Sequence, residues 1–374
     1  MNSILAQNDI NTGRQREFDY LKGGFMLFIY LIHAFQATQS AESALFQGIY
    51  IFATMSGAAI FIFVMGMGTV YSKNTTPMTM TKSGIRMVIY QYLNNLAYVA
   101  ALALPYPFVS GRLSEVGSKT FQMLLWIYLQ YTNIFFISGI IYLVLALLKK
   151  MNLPTVWYAV IGTAVSILAP FVYGKPVNIP VLGYLVKLLI GDAYYVSFTP
   201  LYFLSYALYG VAFGSILRRV KDKVKFYGIL TIPSVAIIAL WWILVFRNYG
   251  TSIPEMRKAL GYAYIHPNFW HVLASLAHIL LFAAIVYYVE SHGGKAPVPS
   301  SPKNPIARQL LYYSKHISKY YALHALVFLT ALGLNGYLGF QSYQCWLLAL
   351  LSIVVTECMV RGYEYLTTKI HHRT

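Results

Sequence analysis

Ten apolar stretches near the length of a bilayer core run through this chain, at 18–38, 46–72, 86–108, 121–148, 153–173, 198–217, 226–246, 269–289, 320–339 and 343–361. A helix needs about 20 mainly apolar residues to cross the roughly 30 Å of hydrocarbon. Only 10% of the 374 residues are charged and mean hydropathy is +0.57, whereas soluble domains carry about 25% charged residues. The pattern predicts an all-α polytopic integral membrane protein of ten transmembrane helices, a single domain over 1–374. It excludes a water-soluble multi-domain protein. The segment 181–191 is apolar but short and holds Lys187, which predicts an interfacial or re-entrant element that does not span.

The formal net charge is +17. In a soluble protein that balance suggests nucleic acid. In a chain of apolar helices, cations accumulate in cytoplasmic loops and fix topology, so the expected partner is the lipid bilayer and no nucleic acid is expected. With the N-terminus inside, alternation places 21 Lys and Arg inside and 7 outside, and both termini come out cytoplasmic. Part of this charge is available to hold a polyanionic ligand. Met1 to Arg16 is polar and the first apolar run follows directly, so no cleavable signal is expected and that run stays as helix one. The stretch 291–305, rich in Gly, Pro, Ser and Lys, predicts a flexible cytoplasmic linker before the last two helices. The loop 247–268 falls outside. Cys345 and Cys358 lie thirteen apart in one predicted helix and cannot bridge each other within it.

Helix one carries the ionisable groups. Asp19 and Lys22 stand near its start and His33 lies deeper. Charged and titratable groups inside a membrane are costly, so they face cavities or partners and mark function. Eleven residues separate Lys22 from His33, about 1100° of helix, which returns both to nearly one face roughly 16 Å apart along the axis. Arg16 and Lys22, with Lys82 and Arg86 at the start of helix three, form an expected ring of cations on the inner side. Lys82 and Arg86 share a face at i, i+4 spacing.

The run Arg16-Glu-Phe-Asp19-Tyr-Leu-Lys22-Gly23, followed after ten residues by His33, resembles the first helix of the integral-membrane acyltransferases called acyltransferase family 3. Lys22 departs from the family's usual Arg, keeping charge but not bidentate hydrogen bonding. Phe61-Ile-Phe with Gly66 and Gly68, Pro200-Leu with Gly210 and Gly214, and Tyr321-Ala-Leu-His324 resemble, in order, helices two, six and nine of the wider transmembrane acyltransferase superfamily, which includes heparan-glucosaminide acetyltransferase relatives. Those relatives carry a catalytic His in the luminal loop after helix one. Loop 39–45 has none here, so the chemistry resembles acyltransferase family 3. The resemblance implies a multi-pass protein, expected in a bacterial cytoplasmic membrane. Acetyl-CoA would enter from the cytoplasm as acyl donor and co-substrate, and a hydroxyl of a cell-envelope sugar or glycan would accept the acyl group. The phosphates of CoA would meet Arg16, Lys22, Lys82 and Arg86. His33 would act as general base or as a covalent acyl relay, with Asp19, Tyr321 and His324 in support. No metal is expected.

Plainer readings stand beside these. Asp19 and Lys22 can pair across one turn, and His324 can bond a backbone carbonyl. His278 reads as packing, His266 and His271 as outer-surface residues within reach of an acceptor sugar or simply interfacial, and Asp192 as a loop acid or a group aligning a hydroxyl. Glu357 and Arg361 are an i, i+4 pair. Gly210 and Gly214 read as a small-residue packing face. Asn94 and Asn95 can line a pocket or bond a neighbouring helix. The 33 Tyr and 6 Trp read as an interfacial belt, and His371-His372 as a tail. The competing function is a polytopic transporter or flippase for a lipid-linked sugar, which often shows internal repeats and interrupted helices. A family member that binds a ligand without turnover is the third.

Overall fold

The computed structural model describes residues 4–38, 44–175, 179, 182–191, 198–294 and 302–371. Asp192, positions 39–43 of the first loop, His372 and residues 295–301 of the expected linker lie outside the described residues. The chain is an all-α polytopic membrane protein, 81% helical with no strand among the described residues. Its helices are α1 (Arg16–Thr38), α2 (Ala44–Thr54), α3 (Gly57–Tyr71), α4 (Pro77–Ala103), α5 (Tyr106–Val109), α6 (Glu115–Gln130), α7 (Ile134–Lys150) and α8 (Thr155–Val172). They continue as α9 (Leu182–Ile190), α10 (Pro200–Leu217), α11 (Lys223–Tyr249), α12 (Ile253–Ile265), α13 (Phe269–Glu290), α14 (Pro305–Lys315), α15 (Ile317–Leu334) and α16 (Ser342–His371).

Nine spans among the described residues are long and apolar enough to cross a membrane. They match nine of the ten expected stretches. The tenth, α1, forms a 23-residue helix but stands apart because Lys22, His33 and Gln36 dilute its apolar run. At nine residues, α9 is about 13 Å long and cannot span. The expected outer loop contains α12, opened by Pro254 at its first turn and seated through Met256 and Leu260 on Ile51, Met55 and Ala274. Helix nine ends earlier than the apolar run suggests, at Leu334, because Gly336 and Tyr337 take positive φ (66° and 61°) and turn the chain out of the helix.

Two expected spans are each broken into two helices. Within 46–72, α2 stops at Thr54, whose hydroxyl turns back to the Ile51 carbonyl (2.9 Å), and the Tyr264 hydroxyl accepts from the Ala58 amide at the start of α3 (3.1 Å). Within 121–148 the helix is interrupted at Tyr131, Thr132 and Asn133. Asn133 caps α7 by accepting from the Phe135 amide (2.8 Å), and Gln91 Oε1 accepts from the amides of Asn133 (3.1 Å) and Phe136 (3.3 Å). Side chains thus take over bonds that an unbroken helix makes for itself. Inside a membrane such groups must find partners within the protein.

The chain divides into two compact units. Unit 1 comprises Met1–Leu21, Tyr50–Gln91 and Thr132–Pro302; unit 2 comprises Lys22–Ile49, Tyr92–Tyr131 and Lys303–Thr374. In unit 1, α10 is the central post, packed on α3, α7 and α8. Its span is 72% buried, against 11% for α11, so α11 presents its apolar side chains outward as a lipid-facing helix does. Glycines let α3 and α10 meet backbone to backbone. A Cβ at Gly66 would fall 2.0 Å from the Ala207 carbonyl oxygen, and one at Gly210 2.0 Å from that of Phe63. The small-residue face expected on helix six is therefore a packing face. The polar N-terminus is tied down in this unit: Ala6 N donates to Arg219 O (2.7 Å) and Lys221 N to Ile4 O (2.9 Å).

Unit 2 packs α14, α15 and α16 with the unit 2 part of α1. Its core contains Met26, Tyr30, Tyr320, Phe328 and Val360, and a second cluster joins Tyr98, Leu102, Leu329 and Tyr337. Gly23 lies where a Cβ would meet the Leu310 carbonyl oxygen at 2.0 Å, so α1 and α14 also touch through backbone. Cys345 is buried and Cys358 exposed on α16, and neither is in a disulfide.

Candidate functional site

His33 and His324, 291 residues apart in sequence, meet in unit 2. His33 Nδ1 lies 2.6 Å from His324 Nε2, and the rings stack with centroids 4.9 Å apart at 26°. The placement follows from local structure. His33 lies on the unit 2 part of α1, whose neighbours Tyr30 and Ala34 are wholly buried. His324 is itself fully buried on α15, with Tyr30 (5.5 Å) and Phe328 (5.8 Å) edge-on to its ring.

The hydrogen bonds fix which nitrogens carry protons. His324 Nδ1 lies 2.7 Å from the Tyr321 carbonyl, and a carbonyl can only accept. The proton of neutral His324 is therefore on Nδ1, which leaves Nε2 as an acceptor. His33 Nδ1 must then donate to it, which leaves His33 Nε2 with the lone pair. Basicity is thereby assigned to the half-buried imidazole, His33, and its orientation to the buried one. The carbonyl bond foreseen for His324 is present, and the same ring also meets His33.

His33 lines a cavity of about 140 Å³ in unit 2, with Gln36, Tyr98, Tyr128, Tyr131 and Tyr321 as its polar neighbours and Ile127, Ala325, Phe328 and Leu329 as apolar wall. Small-molecule sites usually measure about 300–1,000 Å³, so this volume suits a group of a few heavy atoms. Asn95, buried on α4, donates to the Tyr131 carbonyl (2.8 Å) and so fixes one side of the wall. Sequence reading did not single out Gln36, Tyr98, Tyr128 or Tyr131. Gln36 carried a signal, standing three residues after His33 on the same helix face.

None of the four expected cations is a lining residue of this cavity. Lys22 is half-buried in unit 2 but does not line it. Arg16 belongs to unit 1, on the first turn of α1, and Asp19, buried in the same unit, bonds Arg14 Nε. Lys82 and Arg86 stand exposed on the unit 1 part of α4. The helix turns them outward because the other face, at Gly84 and Val88, packs on Gly139 of α7.

Several polar groups have structural partners. His278 Nδ1 bonds the Ala274 carbonyl (2.7 Å), which supports packing. Burial among Tyr173, Tyr202 and Tyr262 pushes the His266 imidazole down to about 4, so it is neutral at physiological pH. Arg361 Nε bonds Glu357 Oε1 (2.5 Å), as their spacing predicts, and the same carboxylate takes the Tyr320 hydroxyl (2.5 Å) and Gln309 (2.9 Å). Glu17, buried in unit 1, accepts from Lys223 Nζ (2.5 Å) and the Tyr227 hydroxyl (2.7 Å). Nothing in the hydropathy pattern pointed to this trio, because Glu17 lies over 200 residues from Lys223 and Tyr227.

Among the described residues no group of three His, Cys, Asp or Glu side chains could hold a metal ion. No family model, curated protein or solved structure matches the chain.

Proposed function

We propose that this chain is an integral-membrane O-acyltransferase, moving an acetyl group from acetyl-CoA to a hydroxyl of a cell-envelope sugar or glycan in a bacterial cytoplasmic membrane. The observation that carries the reading is the oriented His33–His324 pair beside a cavity of acyl size. In the proposed step His33 Nε2 takes the proton of the acceptor hydroxyl as its oxygen bonds the thioester carbon. The C–S bond then breaks, and the thiolate recovers the proton from His33. The positive charge formed on His33 is met by its Nδ1–H bond to His324, which is backed in turn by the Tyr321 carbonyl. An acyl-histidine route uses the same nitrogen as nucleophile. The helix-one spacing of Asp19, Lys22, Gly23 and His33, which resembles acyltransferase family 3, supports the same reading, and so does the cationic balance for an anionic donor.

The test uses purified full-length protein in nanodiscs, with acetyl-CoA binding and hydrolysis or transfer measured for wild type and His33→Ala. Binding by both forms with turnover only in wild type is the expected result. Absence of acetyl-CoA binding by wild type overturns the proposal, and binding with no turnover in either form favours a non-catalytic ligand binder. Radiolabel retained on protein after denaturation, and lost in His33→Ala, separates the acyl relay from general base catalysis.

A transporter or flippase is the second reading. The breaks between α2 and α3 and between α6 and α7 favour it, since interrupted spans are common in transporters. Sugar-lipid translocation in proteoliposomes without added acetyl-CoA is the outcome that would select it.

A further inference from the structure

Unit 1 contains a second cavity, of about 570 Å³, where α3, α7 and α10 end and α8 begins. Lys73, Lys149 and Arg218 line it, together with hydroxyls such as Ser72 and Thr75, and no carboxylate is among its lining residues. None of these cations belongs to the set that the sequence pattern marked for ligand binding.

Cations at helix C-termini answer the negative end of the helix dipole, and that accounts for part of the arrangement. Arg218 Nη1 donates to the Val70 carbonyl (2.8 Å) and Lys149 Nζ to the Thr75 carbonyl (2.6 Å). Arg218 Nη2 also meets Asp9 (2.9 Å). These bonds leave donors over on both side chains, since a guanidinium carries five and an ammonium three. Capping also requires no cavity and no third cation, yet Lys73 stands exposed at the rim. Lys149 and Arg218 repel one another, and an anion seated with them relieves that repulsion. The volume lies within the range of small-molecule sites and exceeds what a bare phosphate fills.

We infer that this cavity binds a phosphorylated ligand of about nucleotide size, with Lys73, Lys149 and Arg218 around its phosphates. A soluble nucleotide and an anionic lipid headgroup present the same chemistry, and the experiment separates them. ADP is titrated by calorimetry against full-length protein in phosphatidylcholine nanodiscs. In parallel, native mass spectrometry reads retention of phosphatidylglycerol over phosphatidylcholine from mixed nanodiscs. Saturable ADP binding, weakened about tenfold or more in Lys73→Gln/Lys149→Gln and by added NaCl, identifies a soluble ligand. Preferential phosphatidylglycerol retention, lost in the same variant, identifies a lipid. If the double variant does not fold, Lys73→Glu reverses an exposed charge without touching the core and weakens whichever binding wild type shows. Absence of both ADP binding and lipid preference in wild type overturns the inference, as does binding that these variants leave unchanged. Both readouts are binding without turnover, so this inference and the transferase proposal fail separately.

Discussion

The two cavities divide the chemistry of the molecule. Unit 2 holds a small cavity with a pair of imidazoles whose protons are fixed by a backbone carbonyl. Unit 1 holds a cavity four times larger, lined by Lys73, Lys149, Arg218 and hydroxyls. The first suits proton transfer on a group of a few atoms and the second suits holding charge. The cavity that holds the imidazole has no Lys or Arg in its lining, and the cavity lined by cations has no His. A lysine beside His33 would disfavour the imidazolium that general base catalysis must form.

The sharpest way to break this comparison is at His33. His33→Ala should lower turnover about 10²- to 10⁴-fold, the usual worth of a general base, while ADP binding in unit 1 stays within about twofold; parallel kinetics and calorimetry read both. Glu17→Ala tests what holds unit 1 together. It removes the carboxylate shared by the half-buried Lys223, which still bonds Gln15, and the buried Tyr227 hydroxyl, and should cost about 1–3 kcal/mol, seen as a fall in thermal midpoint in detergent. His324→Ala removes the acceptor of the His33 Nδ1 proton, so kcat should fall about tenfold to a hundredfold, the kinetic equivalent of leaving a buried donor unmet at about 1–3 kcal/mol. An unchanged kcat would detach His324 from the chemistry. Gly210→Leu pushes a side chain into the Phe63 carbonyl and should cost about 1–3 kcal/mol by overpacking, visible as earlier unfolding. The smallest effect is expected at Arg361, whose side chain is 55% exposed. Arg361→Ala should shift stability by less than about 1 kcal/mol.

Much of the fold was legible in the sequence because bilayer spans are written in hydropathy, and nine of the expected stretches return as candidate spans. The breaks after Thr54 and at Tyr131–Asn133 were hidden, since their cause lies in distant side chains such as Gln91 and Tyr264. His33 and His324 were legible as isolated ionisable groups in apolar runs, and their meeting was foreshadowed only by resemblance. Helical periodicity relates residues on one helix and says little about which face another helix covers, so it could pair Lys82 with Arg86 on α4 but could not relate them to Arg16 and Lys22 on α1. Lys73, Lys149 and Arg218 were counted as topology signals in three separate loops, and only folding brings them to one cavity.

The crossing of α3 and α10 has a consequence for motion. At Gly66 and Gly210 the two backbones touch with no side chain between them, so the contact has no rotamers through which to slip or adjust. Elements joined this way move together as one body. Amide hydrogens along this crossing should be the last in unit 1 to exchange with solvent, and any conformational cycle of that unit would turn about the crossing as its fixed point.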